Sequence, residues 1–121
     1  MSPYGQRPLD FGAHIVMHSS TKFISGHCDV VSGVLMMNNK ELSEKIALIQ
    51  NTAGAIVSPF DAWLLLRSVK TLSLRVKKQF INAEKIANWL QNNSKVKKVI
   101  YPGLSSHSQF KLASQQQLSP E

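Results

Sequence analysis

The chain has 121 residues, of which 43% are apolar and 17% charged, with a formal net charge of +7. That length allows a small domain with a core of its own, and that composition excludes a disordered chain. No apolar run reaches the roughly 18 residues that a membrane-spanning helix needs, and Met1-Ser2-Pro3-Tyr4-Gly5-Gln6-Arg7-Pro8 contains no apolar signal core.

One cysteine, Cys28, excludes an internal disulfide and fits a reducing compartment, so a cytoplasmic location is expected. The positive charge raises the question of nucleic acid. The basic residues do not form one block, and aromatic residues do not interleave them. Solvated faces are the expectation, with neither a nucleic-acid nor a membrane partner.

Residues 1–13 read as extended and turn-rich, broken by Pro3, Gly5, Pro8 and Gly12. Residues 14–18 predict a short buried strand. Residues 19–29 predict a polar loop in which Ser19, Ser20 and Thr21 lead into Lys22 and then Gly26. Lysine is seldom buried unpaired. A lysine at the end of a buried strand suits holding a phosphate or forming a Schiff base with a carbonyl, and the neighbouring hydroxyls are anion donors. By itself the pattern is equally consistent with an ordinary exposed loop lysine.

Val30–Met37 predicts a strand buried on both faces, of the kind found in sheets covered by helices. Asn38-Asn39 predicts a turn. Lys40 to about Gln50 is amphipathic at helical spacing through Leu42, Ile46 and Ile49, and residues 51–57 predict a loop. Ser58-Pro59-Phe60-Asp61 is a strong helix start, with a cap, a first-turn proline and an acid facing the dipole. The following Ala62-Trp63-Leu64-Leu65-Leu66-Arg67-Ser68-Val69 is apolar almost all round, as a buried helix would be.

Residues 72–92 predict a long amphipathic helix with Ser73 as its cap. Residues 96–101 predict a short strand and Pro102-Gly103 a turn, and from Ser105 the chain turns polar without a closing element. The four histidines, with Cys28, make no ligand pair at useful spacing, so no metal is expected. The element order is α/β with an incomplete sheet.

Four segments together resemble the pyridoxal-phosphate enzymes of cysteine and methionine metabolism, the transsulfuration family of cystathionine γ-synthase, γ-lyase and β-lyase. They are Ser2-Pro3-Tyr4 with Gln6 and Pro8-Leu9; the run from Gly12 through His18-Ser19-Ser20-Thr21-Lys22 to Val31; the run from Ser58-Pro59-Phe60-Asp61 to Leu72; and Val99-Ile100-Tyr101-Pro102-Gly103-Leu104. They stand in family order and cover nearly the whole chain.

The resemblance implies part of a type I fold of pyridoxal-phosphate-dependent transferases. Residues 1–71 would be the second part of the cofactor-binding large domain. Residues 72–121 would be the linking helix and the beginning of the C-terminal domain. It implies pyridoxal 5'-phosphate as cofactor, Lys22 as the lysine that holds it and shuttles protons, and Ser19 and Thr21 as phosphate-binding hydroxyls. It further implies β- or γ-elimination or replacement on amino acids such as cystathionine or an activated homoserine, and a homo-oligomer, a tetramer in the full-length family. Serine is common in the family where Cys28 stands and glycine where Ser68 stands, so Cys28 is given no nucleophilic role.

The chain also departs from the family pattern. The carboxylate for the pyridine nitrogen, the ring-stacking tyrosine, the glycine-rich phosphate loop and the arginine for the substrate carboxylate have no counterparts in it. An internal fragment, inactive by itself, is therefore expected. The rival reading is a non-catalytic remnant that acts only by association with a full-length homologue. A basic nucleic-acid-binding module ranks last.

Overall fold

The computed structural model describes residues 2–117. They fall into two compact units: Ser2 with residues 7–72, and residues 3–6 with the described residues from Ser73 onward.

In the first unit a 3-10 turn over Pro8–Phe11 leads to strand β1, Val16–Ser19. A single turn of π-helical form, Ser20–Ile24, follows directly. Strand β2, Gly33–Met36, returns antiparallel to β1, with Val16 opposite Met36 and Ser19 opposite Gly33. The predicted strand over Val30–Met37 is thus shorter, and it is not covered on both faces. Val30 is buried but Val31 is exposed, and along β2 exposed and half-buried residues alternate. The alternation is that of a two-stranded ribbon with one wet face.

Helix α1, Lys40–Ala53, starts where Asn39 Oδ1 accepts from the Leu42 N–H at 2.9 Å, so the predicted Asn38-Asn39 turn is also a cap. It extends beyond Gln50 and stops at Gly54, whose φ of 69° is the left-handed conformation that glycine adopts without cost. Helix α2, Pro59–Val69, has the predicted start, with the Asp61 N–H donating to Ser58 Oγ at 3.1 Å.

Helix α3, Leu72–Gln91, begins at the last residue of the first unit and otherwise belongs to the second, where it carries buried Val76 and Ala87. Since it begins at Leu72, Ser73 lies inside its first turn and is not the predicted cap. Residues 96–101 form no strand: among the described residues the one sheet is β1–β2, so this segment has no ladder to join. The polar stretch after Ser105 does contain an element, helix α4, Phe110–Gln116. Phe110 and Ala113 are half-buried along one side of it.

Buried apolar residues are few among the described residues: Val16, Val30 and Leu72 in the first unit, and Val76, Ala87 and Leu104 in the second. Phe60, Trp63, Leu66 and Val69 leave much of α2 exposed. The sequence predicts a buried helix there; in this chain its outer face is open. No helix among the described residues is long and apolar enough to cross a membrane.

Candidate functional site

The residues singled out by sequence all lie on one short stretch where β1 runs into the π-helical turn. Ser19 is the last residue of β1 and is exposed; no side-chain bond from it caps the turn. Ser20, the first residue of the turn, is only 2% exposed, so the two neighbouring serines differ sharply in burial. Thr21 is half-buried. Lys22 is exposed, and the backbone leaves helical geometry there, with φ −89° and ψ −114°. The predicted loop is therefore an ordered turn, closed by Ser25 N–H to Ser20 O at 2.8 Å and Gly26 N–H to Lys22 O at 2.7 Å.

Two sides hold this turn in place. From the sheet side, Ser32 bonds both Ser20 and Thr21. Its N–H donates to Thr21 Oγ1 at 2.9 Å, and its hydroxyl lies 2.7 Å from Ser20 Oγ. From the other side α2 packs against the turn. Ser25, completely buried, donates through Oγ to Asp29 Oδ1 at 2.9 Å, while its carbonyl accepts from His27 Nδ1 at 2.6 Å. Ser68 of α2 brings its Oγ to 3.5 Å from the same ring nitrogen, at the outer limit of a hydrogen bond. Cys28 is exposed with φ 59°, a left-handed conformation rare outside glycine and asparagine. Among the described residues no group of three or more His, Cys, Asp or Glu could hold a metal ion.

Sequence reasoning missed Ser32 and Ser25. Neither sits in a recognisable spacing with Lys22. Ser32 reaches the turn only through the register of the β1–β2 ladder, and Ser25 only through the closing of the turn.

The donor set suits an anion carrying an aldehyde. An exposed amine at Lys22 and an exposed hydroxyl at Ser19 flank a residue, Thr21, whose oxygen is already fixed by the Ser32 N–H. Thr21 Oγ1 donates to Ser32 O at a long 3.3 Å. A charged oxygen would compete for that proton, because charge-assisted bonds are the stronger. The residues present thus fit a phosphate-bearing group held through Lys22.

The family model described as Cys/Met metabolism PLP-dependent enzyme matches residues 1–120. A protein named "Probable cystathionine gamma-synthase" from Herpetosiphon aurantiacus is 55% identical over 115 residues, covering 95% of this chain and 36% of its own length. Cystathionine gamma-lyase of Dictyostelium discoideum is 53% identical over 116 residues, covering 96% of this chain and 30% of its own length. The crystal structure of cystathionine gamma-lyase from Lactobacillus plantarum complexed with L-serine superposes with a TM-score of 0.92 at 42% identity, over 96% of this chain and 30% of that one. The chain spans about a third of the length of these relatives. It belongs to the family of pyridoxal-phosphate-dependent enzymes of cysteine and methionine metabolism.

Proposed function

We propose that the chain carries the lysine segment of a transsulfuration enzyme, with Lys22 as the residue that holds pyridoxal 5'-phosphate and Ser19 and Thr21 as donors to its phosphate. The single observation that carries this reading is the placement of Ser19, Thr21 and Lys22 on one ordered turn at the end of β1. When bound, the cofactor supplies an aldehyde for the lysine and a ring that takes up the electron pair released at the substrate's α-carbon. Lys22 Nζ, once free of the cofactor, would take the proton from Cα and return it at a neighbouring carbon. Ser19 and Thr21 would hold the phosphate and so keep Nζ beside the reacting carbon.

In this reading residues 1–71 are the second part of the cofactor-binding domain, and 72–121 the linking helix with the beginning of the C-terminal domain. The substrate is an amino acid such as cystathionine or an activated homoserine, acted on at its β- or γ-carbon. The working enzyme is a cytoplasmic homo-oligomer. The chain by itself is inactive, because ring-nitrogen and substrate-carboxylate partners are not among its residues.

A second reading, association with a full-length homologue without catalysis, is favoured by one observation. Phe60, Trp63 and Leu66 form an exposed apolar stripe on α2, each more than half exposed.

The test is to incubate the chain with pyridoxal 5'-phosphate, reduce with borohydride and map the labelled peptide, beside Lys22→Ala. Label concentrated on Lys22 supports the first reading. Label spread over the exposed lysines, unchanged in the variant, leaves the second.

A further inference from the structure

The β1–β2 ladder ends with Ser19 opposite Gly33. At the next step Ser32 faces two residues of the turn instead of one. Its N–H donates to Thr21 Oγ1 (2.9 Å), and its carbonyl accepts from the Thr21 N–H (3.4 Å) and from the Thr21 hydroxyl (3.3 Å). Its own hydroxyl pairs with Ser20 Oγ (2.7 Å). Two residues against one is a bulge arrangement, a device that re-aims the side chains that follow it. The residue that follows is Lys22.

Each bond has a distinct consequence. Ser20 is 2% exposed, so water cannot replace the Ser32 hydroxyl if it is removed. The Ser32 amide occupies an acceptor position on Thr21 Oγ1 and pins that oxygen. The hydroxyl proton is held only by the long bond to Ser32 O and is the one group Thr21 has to offer an anion. Thr21 is thereby a directed donor and not a free rotor.

We infer that Ser32 is the positioning residue of the Lys22 turn: it fixes the turn to the sheet through Ser20 and aims the Thr21 hydroxyl through its amide. The second half rests on the proposed reading of Ser19, Thr21 and Lys22 as a cofactor segment. The first half does not.

The experiment uses the full chain, as wild type, Ser32→Ala, Ser32→Thr and the double variant Ser20→Ala/Ser32→Ala. The first readout needs no cofactor. It is amide hydrogen exchange at Ser25 and Gly26, whose N–H groups close the turn, referred to amides in the middle of α1. Ser32→Ala should exchange roughly tenfold faster there, in line with the penalty of one orphaned buried hydroxyl. Ser32→Thr should restore the wild-type rate. The double variant, which leaves no hydroxyl orphaned, should fall between the two. Wild-type exchange in Ser32→Ala overturns the inference. If that variant loses its far-ultraviolet circular dichroism, the double variant decides in the same way.

The second readout is borohydride-fixed label at Lys22 with pyridoxal 5'-phosphate, divided by that with pyridoxal, which lacks the phosphate. Ser32→Ala keeps the amide but frees the turn at Ser20, so Thr21 Oγ1 is no longer held against that amide; the ratio should fall several-fold, while label at the exposed Lys40 and Lys45 stays unchanged. A ratio preserved in full overturns the inference. A wild-type ratio of one instead contradicts the cofactor reading, and the exchange data alone then decide whether Ser32 holds the turn.

Discussion

His27 Nδ1 lies 2.6 Å from the carbonyl oxygen of Ser25. A carbonyl oxygen only accepts, so this ring nitrogen carries a proton. Neutral His27 therefore has its lone pair on Nε2, and the ring clasps the C-terminal end of the Lys22 turn. Nitrogen NMR of the neutral histidine should show the Nδ1–H tautomer. His27→Ala should speed amide exchange at Gly26 without changing that in α1. An Nε2–H tautomer would contradict the arrangement.

Gly5 is buried against an aromatic ring: a Cβ built there would stand 2.5 Å from Phe80 Cζ. The Tyr4 ring packs on the same phenylalanine with centroids 6.4 Å apart. Gly5→Ala should destabilise its unit by about 1–3 kcal/mol, as overpacking does. Phe80→Leu in the same chain should recover part of the loss. Thermal unfolding of the two single variants and the double one measures both effects, and additive losses would contradict a direct clash.

The exposed stripe on α2 should govern self-association. Phe60 stacks on Trp63 with centroids 5.9 Å apart, and the Arg67 guanidinium lies 5.7 Å from the Trp63 ring centre. With Phe60 66%, Trp63 53% and Leu66 67% exposed, the chain should associate as concentration rises. Phe60→Ser with Leu66→Lys should shift sedimentation towards monomer and leave helix content unchanged. A wild-type monomer at every concentration would remove the motive for association. Ser58→Ala on the same helix should cost about 1 kcal/mol through the lost cap.

Tyr101 has a phenol pushed above its ordinary value of 10.0, first by burial and then by the negative charge of Glu84. Both causes disfavour the phenolate. The folded value exceeds the unfolded one, so the associated stability is intact below pH 10 and lost as pH rises through the folded value. An ultraviolet titration should place Tyr101 above the ordinary phenol value of 10.0. Glu84→Gln should lower its midpoint while leaving it above the ordinary value, because burial is the larger cause. No change in Glu84→Gln would contradict the charge contribution.

Local chemistry was the part legible in the sequence. The start of α2 follows from Ser58, Pro59 and Asp61, whose cap involves residues three apart. The amphipathic spacing that marks α1 fades after Ile49 and so places its end near Gln50, whereas the left-handed Gly54 sets the stop. Pairing was not legible. Residues 96–101 have strand composition but no strand to pair with among the described residues, whereas Gly33–Met36 has one. Helix α4 was missed because Ser114 and its glutamines read as polar coil; Ser114 Oγ in fact donates back to the Phe110 carbonyl at 2.9 Å. At the candidate site Ser19, Thr21 and Lys22 were marked by the family resemblance. Ser32, 11 positions beyond Thr21, was not, since only the strand register brings the two together.

The most direct measurement is the visible absorbance of the purified chain with pyridoxal 5'-phosphate, followed by borohydride reduction and peptide mapping, beside Lys22→Ala. The account predicts a band that is absent in the variant and a reduced label confined to the peptide holding Lys22. A band of equal strength in Lys22→Ala, with label scattered over lysines such as Lys40 and Lys45, would contradict it.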